Sequence, residues 1–217
     1  MKTIAVIHTT SATVESISTL IKNELGDVKI VNVLDDSMLD DMIHKNKVEK
    51  VEERWLSYAR MQSDLGVDAI LSACSTVGEF AEKANELLPV PVYRIDEAMA
   101  EKAISKGQKI SVFATLNSTL EPTVRLIQRK AELFGKNCSI QTVLVNGAYE
   151  ELMKGNRELH NQRIQEEVQK QAPYCDVIVL AQASMASALT GLSSIDNSKV
   201  LTSPALGIRK LKADLQK

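Results

Sequence analysis

Along the 217-residue chain, short apolar runs alternate with longer stretches in which apolar residues recur every third or fourth position. The short runs are Ile4–Ile7, Val28–Val33, Ala69–Leu71, Val90–Tyr93, Ile110–Phe113, Ile140–Val145, Val177–Leu180 and Val200–Leu201. They are β-branched and apolar on both faces, the pattern of parallel strands covered by helices on each side. Between them, Val14, Ile17, Leu20, Ile21 and Leu25 trace one helical face, and Leu120, Val124, Ile127, Ala131 and Phe134 trace another. Strand then helix, repeated along the chain, predicts an α/β fold with mostly parallel sheets. The polar stretch from Ser37 to Asp64 predicts two helices or one broken helix beside a sheet. Its Met38, Met42 and Trp55 read as core in preference to a subunit contact, and Lys45, Lys47, Glu49, Lys50, Glu52 and Glu53 read as a solvated face.

The pattern repeats. Ile4-Ala-Val-Ile-His-Thr-Thr-Ser-Ala-Thr13 has a counterpart in Ile110-Ser-Val-Phe-Ala-Thr-Leu-Asn-Ser-Thr119, and Asp68-Ala-Ile-Leu-Ser-Ala-Cys-Ser-Thr76 in Asp176-Val-Ile-Val-Leu-Ala-Gln-Ala-Ser184. Strands in α/β units look alike, but two matches in the same order and at nearly one offset favour duplication. The second copy starts near Glu97, after Pro89-Val-Pro91.

Composition narrows the function classes. Apolar residues make up 44% of the chain, enough for one large domain or two small ones to bury a core. With 26 basic and 28 acidic side chains the net charge is −2, so no single-sign field recommends nucleic acid or a membrane surface as partner. One Trp, four Tyr and three Phe offer little for stacking nucleic-acid bases. No apolar run reaches the roughly 18 residues of a membrane span, and the apolar run that precedes His8 is only four residues long, too short for a secretion leader. Three Cys without regular spacing argue against a disulfide framework; the expected compartment is the cytoplasm.

In open α/β sheets, ligands collect at the carboxyl ends of the strands, where helices begin. Four turns qualify: His8–Thr13, Cys74–Thr76, Thr115–Thr119 and Gln182–Ser184. All are rich in hydroxyl and amide groups and nearly free of charge. Thr76-Val-Gly-Glu79 and Ser118-Thr-Leu-Glu121 also fit the capping box, so capping competes with ligand binding for those hydroxyls. Helix N-termini suit an anion, and without a glycine-rich phosphate fingerprint a small carboxylate fits better than a nucleotide.

Cys74 ends a buried strand just ahead of a helix start, a placement that can populate a thiolate, although a lone Cys is more often a small buried hydrophobe. Cys138 and Cys175 read as inert. His8 can serve as acid, base or hydrogen-bond donor, or simply pack. His44 and His160 read as solvated, and no His, Cys and carboxylate set has zinc spacing.

The hydroxyl-rich first turn, Ser-Ala-Cys-Ser-Thr-Val at 72–77, Ala-Thr-Leu-Asn-Ser-Thr at 114–119 and Ala-Gln-Ala-Ser-Met-Ala at 181–186 together resemble the aspartate/glutamate/hydantoin racemase superfamily, in order and over most of the chain. The resemblance implies two similar Rossmann-like (flavodoxin-like) lobes related by a pseudo-twofold duplication, with a cleft between them. Residues 1–96 with 202–217 would form the first lobe and 97–201 the second. It implies further that no organic cofactor or metal is used, that the partner is a small carboxylate, and that the chain forms a homodimer or higher homo-oligomer. Family racemases work with one Cys from each lobe, one thiolate removing the α-proton while the other thiol delivers one. Cys74 matches the first Cys; the second falls on Gln182, which cannot abstract a proton from carbon. Thr9, Thr10, Ser75, Thr76, Thr115, Asn117, Ser118, Thr119 and Ser184 would hold the carboxylate, and Gln182 would orient substrate or a water.

Three readings follow from this departure. One is an isomerase whose second acid/base is His8 or ordered water. Another is a single-thiol decarboxylase, and the third is a carboxylate-binding protein without chemistry.

Overall fold

A computed structural model describes residues 1–44, 47–192 and 195–216. The chain divides into two compact units, Met1–Ile95 with Pro204–Lys217 and Asp96–Ser203.

In the first unit β1 (Lys2–His8) pairs with β2 (Val28–Leu34) and β3 (Ala69–Ser72), and β3 pairs with β4 (Val92–Arg94), all parallel and in the order β2-β1-β3-β4. Helices α1 (Val14–Leu25), α2 (Ser37–His44), α3 (Val48–Asp64) and α4 (Gly78–Leu87) connect them. Ala5, Ile7 and Ile70 share one sheet face with Met38, Val51, Trp55, Ala59 and Phe80, so the α2–α3 stretch is two helices and its Met38 and Trp55 are core. Met42 packs partly buried against that core. Lys47, Glu49, Lys50 and Glu53 are exposed and Glu52 is half-buried beneath Lys83; Lys45 lies outside the described residues. The last helix, α9 (Ser203–Leu215), returns to this unit, where the Lys2 ammonium donates to the Leu215 carbonyl and Arg209 Nε meets Glu24 at 3.1 Å.

The second unit repeats the plan. Helix α5 (Glu97–Lys106) leads into β5 (Lys109–Ala114), followed by α6 (Asn117–Leu133), β6 (Ser139–Leu144), α7 (Ala148–Met153), α8 (Arg157–Gln171), β7 (Val177–Leu180) and β8 (Val200–Thr202). Its sheet runs β6-β5-β7-β8, again all parallel. The register repeats as well: Ile4 pairs with Ala69 where Ile110 pairs with Val177, and Ile70 pairs with Val92 where Ile178 pairs with Val200.

The same device starts both sheets. Asp68 N–H donates to the Thr3 carbonyl while its carboxylate accepts from Thr3 N–H at 2.7 Å. Asp176 does the same with Lys109 and also accepts from Gln108 N–H. Those backbone donors hold the Asp176 carboxyl below its ordinary pKa.

Some expected boundaries shift for local reasons. Pro91 has no N–H, so β4 starts at Val92, one residue after the Pro91 carbonyl accepts from Ile70. The edge strands β2 and β6 contain no fully buried residue and expose several side chains, instead of being covered on both faces. Helix α6 ends at Leu133 ahead of Gly135 (φ +61°), which leaves Phe134 exposed rather than on the buried face. No helix among the described residues is long and apolar enough to cross a membrane.

Trp55 is fully buried in the first unit's core. Trp55→Ala is therefore expected to lower unfolding free energy by about 3–5 kcal/mol in denaturant titrations. Trp55→Phe, which removes an indole N–H that has no partner, is expected to cost less.

Candidate functional site

The carboxyl ends of the central strands bring the candidate turns into position. Ala73 N–H closes on the Ile7 carbonyl at 3.0 Å, and the next residue, Cys74, turns out of the ladder with extended backbone (φ −133°, ψ 122°) to head the 3-10 turn Ser75–Val77 that opens α4. Ala181 N–H closes on the Phe113 carbonyl at 2.8 Å, and Gln182 turns out with nearly the same backbone (φ −116°, ψ 138°) to head the 3-10 run Ala183–Gly191. Cys74 and Gln182 thus occupy equivalent positions in the two sheets.

Gln182 is held. Its Oε1 accepts from Thr115 N–H at 2.5 Å and from Thr115 Oγ1 at 2.8 Å, so the amide nitrogen is the group left to meet another acceptor. Thr9, which corresponds to Thr115, is buried with a hydroxyl that has no protein partner. The neighbouring Thr10 hydroxyl accepts from Ala12 N–H at 3.3 Å and caps the 3-10 turn Ser11–Thr13. His8 is buried beneath this turn; Nε2–H donates to Asn32 Oδ1 at 3.0 Å while Nδ1 lies 3.3 Å from the Thr13 hydroxyl. Burial holds the His8 pKa below 6.5, despite the opposing Asn32 bond.

The helix starts differ from those that the two capping boxes imply. Helix α6 starts at Asn117 with extended Leu116 as its cap, so Ser118 lies inside the first turn, where its hydroxyl is buried without a partner. Thr76 is buried within the 3-10 turn and Val77 caps α4, because the tighter turn moves the α-helical start two residues on. Asn117 is exposed, Ser75 and Thr119 are buried, and Ser184 is half-buried.

Cys138 and Cys175 precede β6 and β7 at the opposite ends of their strands; burial raises the Cys138 thiol pKa, and Cys175 is buried beside the Gln171 carbonyl. His44 is exposed beside Asp40. Among the described residues no group of three or more His, Cys, Asp or Glu could hold a metal ion.

Three features were not read from the sequence. His160 is fully buried rather than solvated, because it shares a helix face with Ile164 and Val168, four and eight positions on. That spacing was the available signal. Its Nδ1–H donates to the Ala148 carbonyl at 2.8 Å, and burial keeps the ring's pKa below 6.5. Arg94, at the end of β4, is buried and ion-paired to Glu82 at 2.6 Å. Its guanidinium lies so close over Gly78 that a Cβ there would sit 2.5 Å from a guanidinium nitrogen, so a positive charge rests on the first turn of the helix that follows Cys74. Asp35, whose N–H donates to the His8 carbonyl, gathers the Ser37 and Tyr58 hydroxyls and Arg54, and Arg54 also holds Asp41.

Both buried histidines have folded pKa values below the unfolded value, so the unfolded chain binds more protons on the acid side. Stability is then expected to fall as pH drops through about 6.5 and to level off once the folded rings protonate. Thermal unfolding between pH 7.5 and 5 checks this, and His160→Asn is expected to flatten part of the slope.

The family model for Asp/Glu/hydantoin racemases matches residues 4–211 of the chain. Among solved structures, a glutamate racemase isoform from Bacillus anthracis is similar at 15% identity with a TM-score of 0.78, covering 99% of this chain and 82% of that one. An allantoin racemase from Klebsiella pneumoniae matches at 18% identity and a TM-score of 0.76, covering 100% of this chain and 88% of that one. An aspartate racemase from Picrophilus torridus matches at 13% identity and a TM-score of 0.74, covering 100% and 95%. At these identities the likeness is one of fold. No curated protein matches the sequence.

Proposed function

The chain belongs to the Asp/Glu/hydantoin racemase family, and from that premise we propose that it is a cofactor-independent isomerase that moves a proton at the α-carbon of a small carboxylate, with Cys74 as acid/base. The observation that carries this reading is the placement of Cys74. It is a half-buried thiol at the carboxyl end of an inner parallel strand, heading the turn into α4 beside the Ser75 and Thr76 hydroxyls. In this reading the Cys74 thiolate takes the α-proton, and the electron pair left on carbon spreads into the carboxylate as an enediolate. Backbone N–H groups and hydroxyls stabilise that charge. Thr9 is the first donor we assign to it, since its buried hydroxyl has no protein partner.

His8 engages both ring nitrogens with Thr13 and Asn32 and serves as a bracket for the first turn. The proton that completes inversion then comes from a water oriented by the Gln182 amide. If the Cys74 thiol instead trades its proton with solvent and returns the new one to the same face, the carbon exchanges without inverting.

A second reading has a specific observation in its favour: of the two equivalent positions only one carries a thiol. A single-thiol lyase fits that asymmetry. The bond from the α-carbon to one carboxylate breaks, CO2 leaves, its electron pair remains as the enediolate, and the Cys74 thiol protonates the carbon.

Incubation of amino acids, hydroxy acids and malonates in D2O, followed by proton NMR and chiral analysis, separates these readings. Deuterium at the α-carbon with inversion supports the isomerase, CO2 release supports the lyase, and neither outcome leaves a carboxylate-binding protein. Cys74→Ala is expected to lower kcat/KM by about 10²–10⁴-fold, and unchanged activity overturns the thiol assignment. Gln182→Cys is expected to raise inversion relative to simple exchange, by up to about 10²-fold, measured as the ratio of the two rates.

A further inference from the structure

Helix α8 reaches the segment that follows Gln182 with three polar side chains. Asn161 Oδ1 accepts from the Ser187 hydroxyl at 2.8 Å and its Nδ2 donates to the Ser187 carbonyl at 3.4 Å. Gln165 Nε2 donates to the Ala188 carbonyl at 2.9 Å, and a Cβ at Gly191 would collide with the Gln165 carboxamide. The segment needs such support. Ala183–Gly191 is a nine-residue 3-10 run, whereas the poorer hydrogen-bond geometry of that helix usually limits it to three or four residues.

The third side chain is His160. Its ring is fully buried between two carbonyls: Nδ1–H donates to Ala148, the first residue of α7, while Nε2 lies toward the Ser184 carbonyl, which accepts from the Ser187 hydroxyl at 3.2 Å, in no well-formed hydrogen bond. A neutral imidazole has one N–H, which Ala148 takes. The Nε2 lone pair then points toward another acceptor. An imidazolium has two N–H groups and can serve both carbonyls.

We propose that His160 is a positioning residue for the Gln182–Ser184 turn: protonation at Nε2 draws the Ser184 carbonyl onto the ring and ties the turn to α7 and α8, and loss of that proton releases it. The structural half stands on the ring and its two carbonyls. Its consequence for substrate rests on the reading that this turn holds the carboxylate.

The charges around the ring set where the change occurs. Arg157, one turn earlier on α8, opposes the imidazolium, as does burial. Arg163, one turn later, lies over Gly147. Helix α7 brings Glu150 and Glu151, the latter held by Lys154 and Asn156. The run Ala183–Gly191 has no ionisable side chain. The transition therefore falls on the acid side of the ordinary histidine value.

Amide hydrogen exchange on the full chain tests this, with the ring's own titration followed by NMR. Protection of Ala183–Gly191 is measured relative to amides of β5 and β7, at pH 7.5 and one unit below the ring's midpoint. In the wild type that ratio is expected to rise about three- to tenfold on acidification. His160→Asn keeps a donor near Ala148 and cannot titrate, so its ratio should stay low at both pH values. His160→Gln places a permanent donor toward Ser184, so its ratio should be high at both. A flat wild-type ratio, or a Gln variant no better protected than the wild type at pH 7.5, overturns the proposal, and neither outcome depends on the Asn variant folding. Absence of α-carbon exchange in D2O would sink the isomerase reading and leave these ratios untouched.

Discussion

A backbone N–H buried inside a sheet must find an acceptor, and that requirement fixes where this protein can place chemistry. Strands β1 and β5 are buried along most of their length, so each neighbour must hold register to the end of the ladder. The Asp68 and Asp176 carboxylates set the register at the entry, and the Ala73 and Ala181 amides close it at the exit. The residue after each closing amide is the first one free to leave the sheet. In one unit that residue is Cys74, and in the other it is Gln182.

Equivalent scaffolds therefore carry unequal chemistry. Beside Gln182, the hydroxyl and N–H of Thr115 are both spent on the amide oxygen, which makes a neutral and rigid hydrogen-bonding corner. Beside the Cys74 strand, the corresponding Thr9 hydroxyl has no protein partner. One corner carries a thiol and the other a carboxamide. A duplicated fold permits this division, since register and turn geometry survive the change of side chain.

Most of this scaffold was legible in the sequence, because strand burial and register are written in short-range patterns. Asp68-Ala-Ile-Leu and Asp176-Val-Ile-Val announced both the repeat and the equivalence of Cys74 with Gln182. Details settled by a single residue of helix phase were not legible. Ser118 was read as a cap, but α6 begins one position earlier at Asn117, and that displacement buries its hydroxyl inside the turn. Contacts that join distant elements were also hidden. Arg94 comes to lie over Gly78 only once β4 and α4 have packed, and nothing local to either residue signals it. His160 falls between these cases: its spacing to Ile164 and Val168 carried the information, but the surrounding polar residues of α8 obscured the face.

The chain leaves the first unit after Ile95 and rejoins it at Pro204, so the second unit is one continuous insertion while the first is assembled from two separated pieces. Closing the thiol-bearing unit therefore needs contacts between residues far apart in the chain, such as Arg209 with Glu24, whereas the inserted unit draws on one unbroken stretch. Bringing such distant segments together costs more chain entropy, so the unit that bears Cys74 is the one built on longer-range contacts.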